Sequence, residues 1–172
     1  HQILIARNNA GLKNLYKLIS FGFLKYYKRH PRIPKTELEK HREGLIIGSA
    51  CESGELFTAI LENRPEAEIE EIVNFYDYLE IQPITNNRFL VEEHKVADDE
   101  GLRDLNRRIV ALGEKYNKPV VATCDAHFVE DEDELYRKIL ISSKFKDGGR
   151  DTHIYLRTTE EMLEEFSYLG ED

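Results

Sequence analysis

Two stretches of this chain, GLIIGS at 44–49 and PVVAT at 119–123, are apolar or small almost throughout. A strand with one face in water alternates apolar and polar residues, so an unbroken run marks a strand covered on both faces, as in a parallel sheet between helices. Helical periodicity surrounds both runs. In GLKNLYKLISFGFLKYY, Leu12, Leu15, Tyr16, Ile19 and Phe23 fall on one face. Ile69, Ile72, Val73 and Tyr76 do so in EAEIEEIVNFY, and Leu102, Leu105, Ile109 and Leu112 in EGLRDLNRRIVALGEKYN. QILIAR, YLEIQPI and HIYLR predict further strands, and ELFTAILEN and DELYRKILISS further helices. TTEEMLEEFSYL is a helix opened by a capping box from Thr158 to Glu161. The prolines of KRHPRIPK forbid helix and set an extended connection. KFKDGGRDT reads as a loop, with Gly148-Gly149 as a turn. Strand and helix alternating in this way predict an α/β domain with a largely parallel sheet, open or closed into a barrel.

The chain has 172 residues, 41% of them hydrophobic, enough for one core of ordinary size, so residues 1–172 are expected to form a single domain. It opens on His1, with no basic and apolar leader, and its apolar runs are too short to span a bilayer. The expectation is a cytoplasmic piece of a longer polypeptide, away from membranes. Two cysteines, Cys51 and Cys124, do not make a disulfide framework in a chain of this length. Net charge is −9, unevenly spread: residues 1–36 carry eight Lys or Arg and no acid.

The chemistry concentrates at strand ends. PVVATCDAHF closes a buried strand on Asp125 and His127, two places apart, so strand periodicity predicts that they share a face. In parallel α/β folds functional groups gather beyond the carboxyl ends of the strands. Two readings stand: a ligand or acid/base pair, or an Asp125 that caps the next turn and a His127 that packs on the sheet. Cys51 sits in the small-residue loop after GLIIGS, just before a predicted helix start that favours its thiolate; its plain alternative is a small buried hydrophobe. Carboxylate, imidazole and thiolate together suit zinc, manganese or iron rather than calcium. Cys124 is expected to face away and pack. His30, His41, His94 and His153 lie in polar contexts without an evident role, His94 being the one reserve. Phosphate-loop, nucleophile-elbow, CxxC and HExxH patterns are absent. The arm FLKYYKRHPRIPK interleaves aromatics with cations. Phe23 and Tyr27 are expected to bury, leaving Lys28, Arg29 and Arg32 for phosphate or interdomain contacts.

Taken in order, HQILIARNNAGLKNLYKLIS, PRIPKTELEKHREGLIIGSACESGELF, YDYLEIQP, NKPVVATCDAHF and YLRTTEEMLEEFSYLG resemble the PHP (polymerase and histidinol phosphatase) domain of bacterial replicative DNA polymerase III alpha chains of the PolC type. The resemblance covers nearly the whole chain. It implies a distorted (β/α)7 barrel bearing a divalent metal cluster, of which this chain is the portion after the inserted proofreading exonuclease. It implies His1, Cys51, Asp125 and His127 as metal ligands; the family's earlier ligands have no counterpart here. His1 precedes its strand whereas Cys51 and Asp125 follow theirs, so His1 joins them only if its strand runs antiparallel, which is the expectation. The parent would be a magnesium-dependent DNA polymerase, with DNA and the rest of its own chain as partners. The rival readings are a free-standing PHP phosphoesterase, expected to carry its own H-x-H near the amino terminus, and a non-catalytic scaffold.

Overall fold

The computed structural model describes residues 1–142 and 152–170; the predicted KFKDGGRDT loop and its Gly148-Gly149 turn lie almost wholly outside them. The described chain is mixed α/β. It runs β1 (Ile3–Ala6), α1 (Asn9–Leu24), α2 (Lys35–Lys40), β2 (Leu45–Gly48), α3 (Glu55–Leu61), α4 (Glu66–Phe75), β3 (Leu79–Ile81), α5 (Phe89–Glu92), α6 (Asp99–Lys115), β4 (Val120–Ala122), α7 (Glu134–Ser142) and α8 (Thr159–Glu165). Caps set several boundaries. The Asn8 side chain accepts from Gly11 N and that of Asp98 from Gly101 N, opening α1 and α6, and the capping box of Thr158 and Glu161 opens α8 as its sequence predicts.

β1 runs antiparallel to β2, with Ile3 opposite Gly48 and Ala6 opposite Leu45, as expected for the first strand. β3 and β4 are parallel, with Leu79 opposite Val120 and Ile81 opposite Ala122. These are two two-stranded sheets, β1-β2 and β3-β4, linked by one isolated parallel bridge between Gly48 and Tyr78. Asp77 fastens this junction: its N–H donates to the Ile47 carbonyl at 2.8 Å and its carboxylate accepts from Ile47 N–H at 2.7 Å. The predicted strand HIYLR shortens to a single parallel bridge between Phe128 and Tyr155. Leu18, Ile47, Leu56, Ile60, Val73, Tyr76, Leu79 and Ile109 form the centre of one hydrophobic core.

The apolar stripe expected on α1 is split. Leu18 is buried, but Leu12, Tyr16, Ile19 and Phe23 are exposed. Glycines decide which face packs: Gly11 and Gly22 are buried with Leu18 on one side of α1, and a Cβ on Gly11 would lie 1.8 Å from the Gly44 carbonyl oxygen. The backbone therefore approaches on the small-residue face and turns the larger apolar face outward. Aromatics follow the same reversal, since Phe23 and Tyr27, expected to bury, are each 57% exposed. Accessible surface totals 11073 Å², against about 8,700 Å² for a compact monomer of this mass. Large exposed apolar side chains mark both outer strands, Ile3 and Ile5 on β1 and Val121 on β4.

Candidate metal centre

Strand direction assembles the site. Because β1 opposes β2, the start of β1 lies beside the carboxyl end of β2, which brings His1 onto the loop that carries Cys51. The His1 Nδ1 lies 3.3 Å from Cys51 Sγ, and the His1 backbone nitrogen donates to the Ser53 carbonyl at 2.8 Å. The loop turns sharply at Ala50, whose φ of 61° is left-handed, and closes through Gly54 N–H donating to the Cys51 carbonyl at 2.8 Å.

Cys51 is half-buried, and burial first of all pushes its thiol up to about 11. The carboxylates of Glu52 and Asp125 push the same way, while a backbone hydrogen bond from Ser53 opposes them. The expected helix-favoured thiolate is thus corrected: desolvation and two negative charges outweigh one backbone donor. Asp125 acts on the sulfur only through its charge: no three of His1, Cys51, Asp125 and His127 offer donor atoms within 4.8 Å of one another, so the structure joins His1 to Cys51 and leaves Asp125 and His127 apart from that pair. A thiol of this kind gives up its proton to a bound cation rather than to water.

Asp125 and His127 reach this end of the sheet by a different route from the one their spacing suggests. β4 stops at Ala122, and Asp125 has φ 49°, so the two side chains are placed by a turn and not by strand alternation. Within that turn His127 Nδ1 lies 2.8 Å from the Asp125 carbonyl. A carbonyl only accepts, so Nδ1 carries the hydrogen and Nε2 is left with its lone pair, the arrangement common in metal-binding histidines. The His127 N–H donates to the Ile154 carbonyl at 2.8 Å.

Buried polar groups support the turn from below. The Thr123 hydroxyl donates to the buried Glu80 carboxylate at 2.7 Å, and Gln82 Nε2 reaches the same oxygen at 3.2 Å. Asn86 Nδ2 donates to the Cys124 carbonyl at 3.0 Å. Cys124 is half-buried. The spacing of the motifs said nothing of Glu80 or Thr123; the sequence signal was a glutamate inside the apolar strand YLEIQP.

His153, set aside by its sequence context, is not isolated. Its Nδ1 lies 2.9 Å from Asp131 Oδ1, and Asp131, Glu134 and His153 offer donor atoms within 4.8 Å of one another. Glu134 is buried and accepts from Thr152, both backbone N–H and hydroxyl, so the carboxylate also clasps the returning chain to the start of α7. These groups come together across about twenty residues, and no local pattern announces them. His94, the reserve, is exposed beyond α5 with φ 56°. His41 serves structure, its Nδ1 2.9 Å from the Glu37 carbonyl and its ring edge-on to Phe21. Lys28, Arg29 and Arg32 are exposed on the arm after α1, and no hydrogen bond or ion pair ties them to the metal-ligand candidates among the described residues.

Comparison with known proteins places the chain in a family. The PHP domain family model matches residues 1–92. DNA polymerase III PolC-type of Clostridium perfringens is 52% identical over all of this chain, that of Bacillus subtilis 51%, and that of Caldanaerobacter subterraneus 54%. The chain spans 12% of the length of these curated relatives. On the family match and the identity that extends beyond it, the chain belongs to the PHP domain family.

Proposed function

We propose that residues 1–172 are the C-terminal portion of the PHP domain of a PolC-type replicative DNA polymerase, folded as one unit and bearing part of a divalent metal centre. The observation that carries the reading is the meeting of His1 and Cys51 at 3.3 Å, fifty residues apart in sequence, beyond the carboxyl end of β2. Imidazole, thiol and carboxylate form a borderline-soft donor set that fits zinc, manganese or iron. His1, Cys51, Asp125 and His127 would hold the ion, which when bound polarises phosphate oxygens and acidifies a water. Cys51 would give up its proton to hold the ion, His127 would keep its Nδ1 hydrogen on the Asp125 carbonyl, and Thr123 and Glu80 hold the turn in place.

Exposed apolar side chains on both outer strands, β1 and β4, and the surplus of accessible surface support a partial (β/α)7 barrel that closes when the remaining strands of the domain lie between those edges. In the parent polypeptide the domain would adjoin the polymerase and exonuclease domains, the polymerase reaction using magnesium on DNA in the cytoplasm. Among the described residues no helix is long and apolar enough to cross a membrane. Metal analysis of the intact parent tests the site. Asp125→Asn should lower bound zinc, manganese or iron, and unchanged occupancy would rule Asp125 out as a ligand.

A further inference from the structure

From His1 to Thr36 the chain holds eight cations and no acid, so the rest sums to −17 within a net charge of −9. All eight are exposed. Among the described residues Lys35 is paired with Glu55 at 3.1 Å, whereas Lys13, Lys17, Lys28, Arg29 and Arg32 make no ion pair, and Glu37, the first acid after the arm, is taken by Lys40 at 2.8 Å. Three exposed aromatic rings accompany them. Phe23 and Tyr27, both 57% exposed, stack at 6.3 Å with an interplanar angle of 26°, and Tyr16 is 61% exposed one helical turn before Ser20 on the outer side of α1.

The arm is folded rather than trailing. Lys25 and Tyr26 N–H both donate to the Phe21 carbonyl, ending α1, and Lys28 bridges to His30 around Arg29, whose φ of 65° puts it at the tip of a tight turn. Residues 31–33 then cross α1 at Gly22, where an added Cβ would lie 3.2 Å from the Arg32 carbonyl oxygen. The backbone of the arm is thereby held against α1 beside Gly22, the residue before Phe23.

We infer that this face, made by Phe23, Tyr27, Lys28, Arg29 and Arg32, binds single-stranded nucleic acid, with phosphates on the cations and a base on the exposed ring pair. A shallow surface that offers aromatic faces between unpaired cations matches a flexible polyanion carrying planar rings. A folded acidic protein surface would match the charge but has no use for a stacked pair of rings in water. The inference rests on the polymerase reading only in the choice of DNA as the strand.

The test uses the full-length parent polypeptide and a 5-iodouracil-substituted single-stranded oligonucleotide. Photocrosslinking followed by peptide mapping should give adducts at Tyr27 or Phe23. Lys28→Gln, Arg29→Gln and Arg32→Gln combined should reduce the slope of log affinity against log salt by about 2, since each phosphate contact on a single strand contributes about 0.7. Tyr27→Phe should keep the adduct yield and Tyr27→Ala together with Phe23→Ala should abolish it. No adduct within residues 23–32 with an unchanged salt slope overturns the inference, as does equal protection of Lys28 from acetylation with and without the oligonucleotide, which would mean that another protein surface covers the arm. Primer extension on the same preparations separates the two readings: extension without an adduct refutes the arm alone, and its absence refutes the polymerase assignment.

Discussion

The His1 imidazole and the Cys51 sulfur meet at 3.3 Å because the first strand runs against the second. Parallel pairing would put the start of β1 at the opposite end of β2, so the contact depends on strand direction as much as on residue type. One consequence is chemical. Cys51 is held as a thiol, its acidity displaced from the ordinary value of 9.0 to about 11, chiefly by burial.

In chelator-treated protein, with Cys124→Ala to silence the second thiol, iodoacetamide should modify Cys51 slowly at pH 8 to 9 and faster as pH approaches 11. The sign for stability follows from linkage. Between the ordinary and the folded value the unfolded chain ionises and the folded chain does not, so this contribution is complete below pH 9 and declines as pH rises through that window. Alkylation as fast as that of a free thiol at pH 8 would contradict the buried, carboxylate-flanked setting.

Thr123 is expected to matter although it touches no metal. Its hydroxyl is a donor to Glu80, and Thr123→Val removes that donor while keeping the shape of the side chain. The loss should cost about 1 to 3 kcal/mol, the penalty for a buried acceptor left short of a partner. If the network orients the Asp125 turn, metal affinity should fall about 10- to 100-fold as well. Urea unfolding and metal titration read the two effects separately, and a stability loss with unchanged affinity would confine Thr123 to packing.

The glycine face of α1 makes a prediction with an internal control. Gly11→Ala drives a methyl onto the Gly44 carbonyl at 1.8 Å, backbone against backbone, and should cost more than about 3 kcal/mol. Gly22→Ala meets the Arg32 carbonyl at 3.2 Å, a contact relieved by a few tenths of an ångström, and gains helix propensity of about 1 kcal/mol. Thermal unfolding should rank the two far apart. Equal effects would mean that α1 does not pack on its glycine side.

Much of this was readable in the residues because the local signals agreed with one another. Unbroken apolar runs gave β2 and β4 as strands, although β4 is an outer strand exposed at Val121 and Ala122 rather than covered on both faces; caps and periodicity gave α6 and α8; and the ligand role that the family resemblance implies for His1 required the antiparallel β1 that is observed. The failures share a cause, which is that spacing carries no information on what lies opposite. The stripe of Leu12, Tyr16, Ile19 and Phe23 has helical period, but Gly11 and Gly22 allow closer approach on another face. Asp125 and His127 have strand period, but the strand ends three residues before Asp125. Asp131, Glu134 and His153 are joined by a chain reversal that no short window contains.

A single metal centre requires that sulfur, imidazole and carboxylate act on one ion. Cobalt(II) titration of the metal-free parent polypeptide tests this directly, because a thiolate ligand adds a near-ultraviolet charge-transfer absorption. The absorption should appear in the wild type, vanish in Cys51→Ser, and saturate only at higher cobalt in Asp125→Asn. An identical absorption and stoichiometry in Cys51→Ser would contradict the single centre.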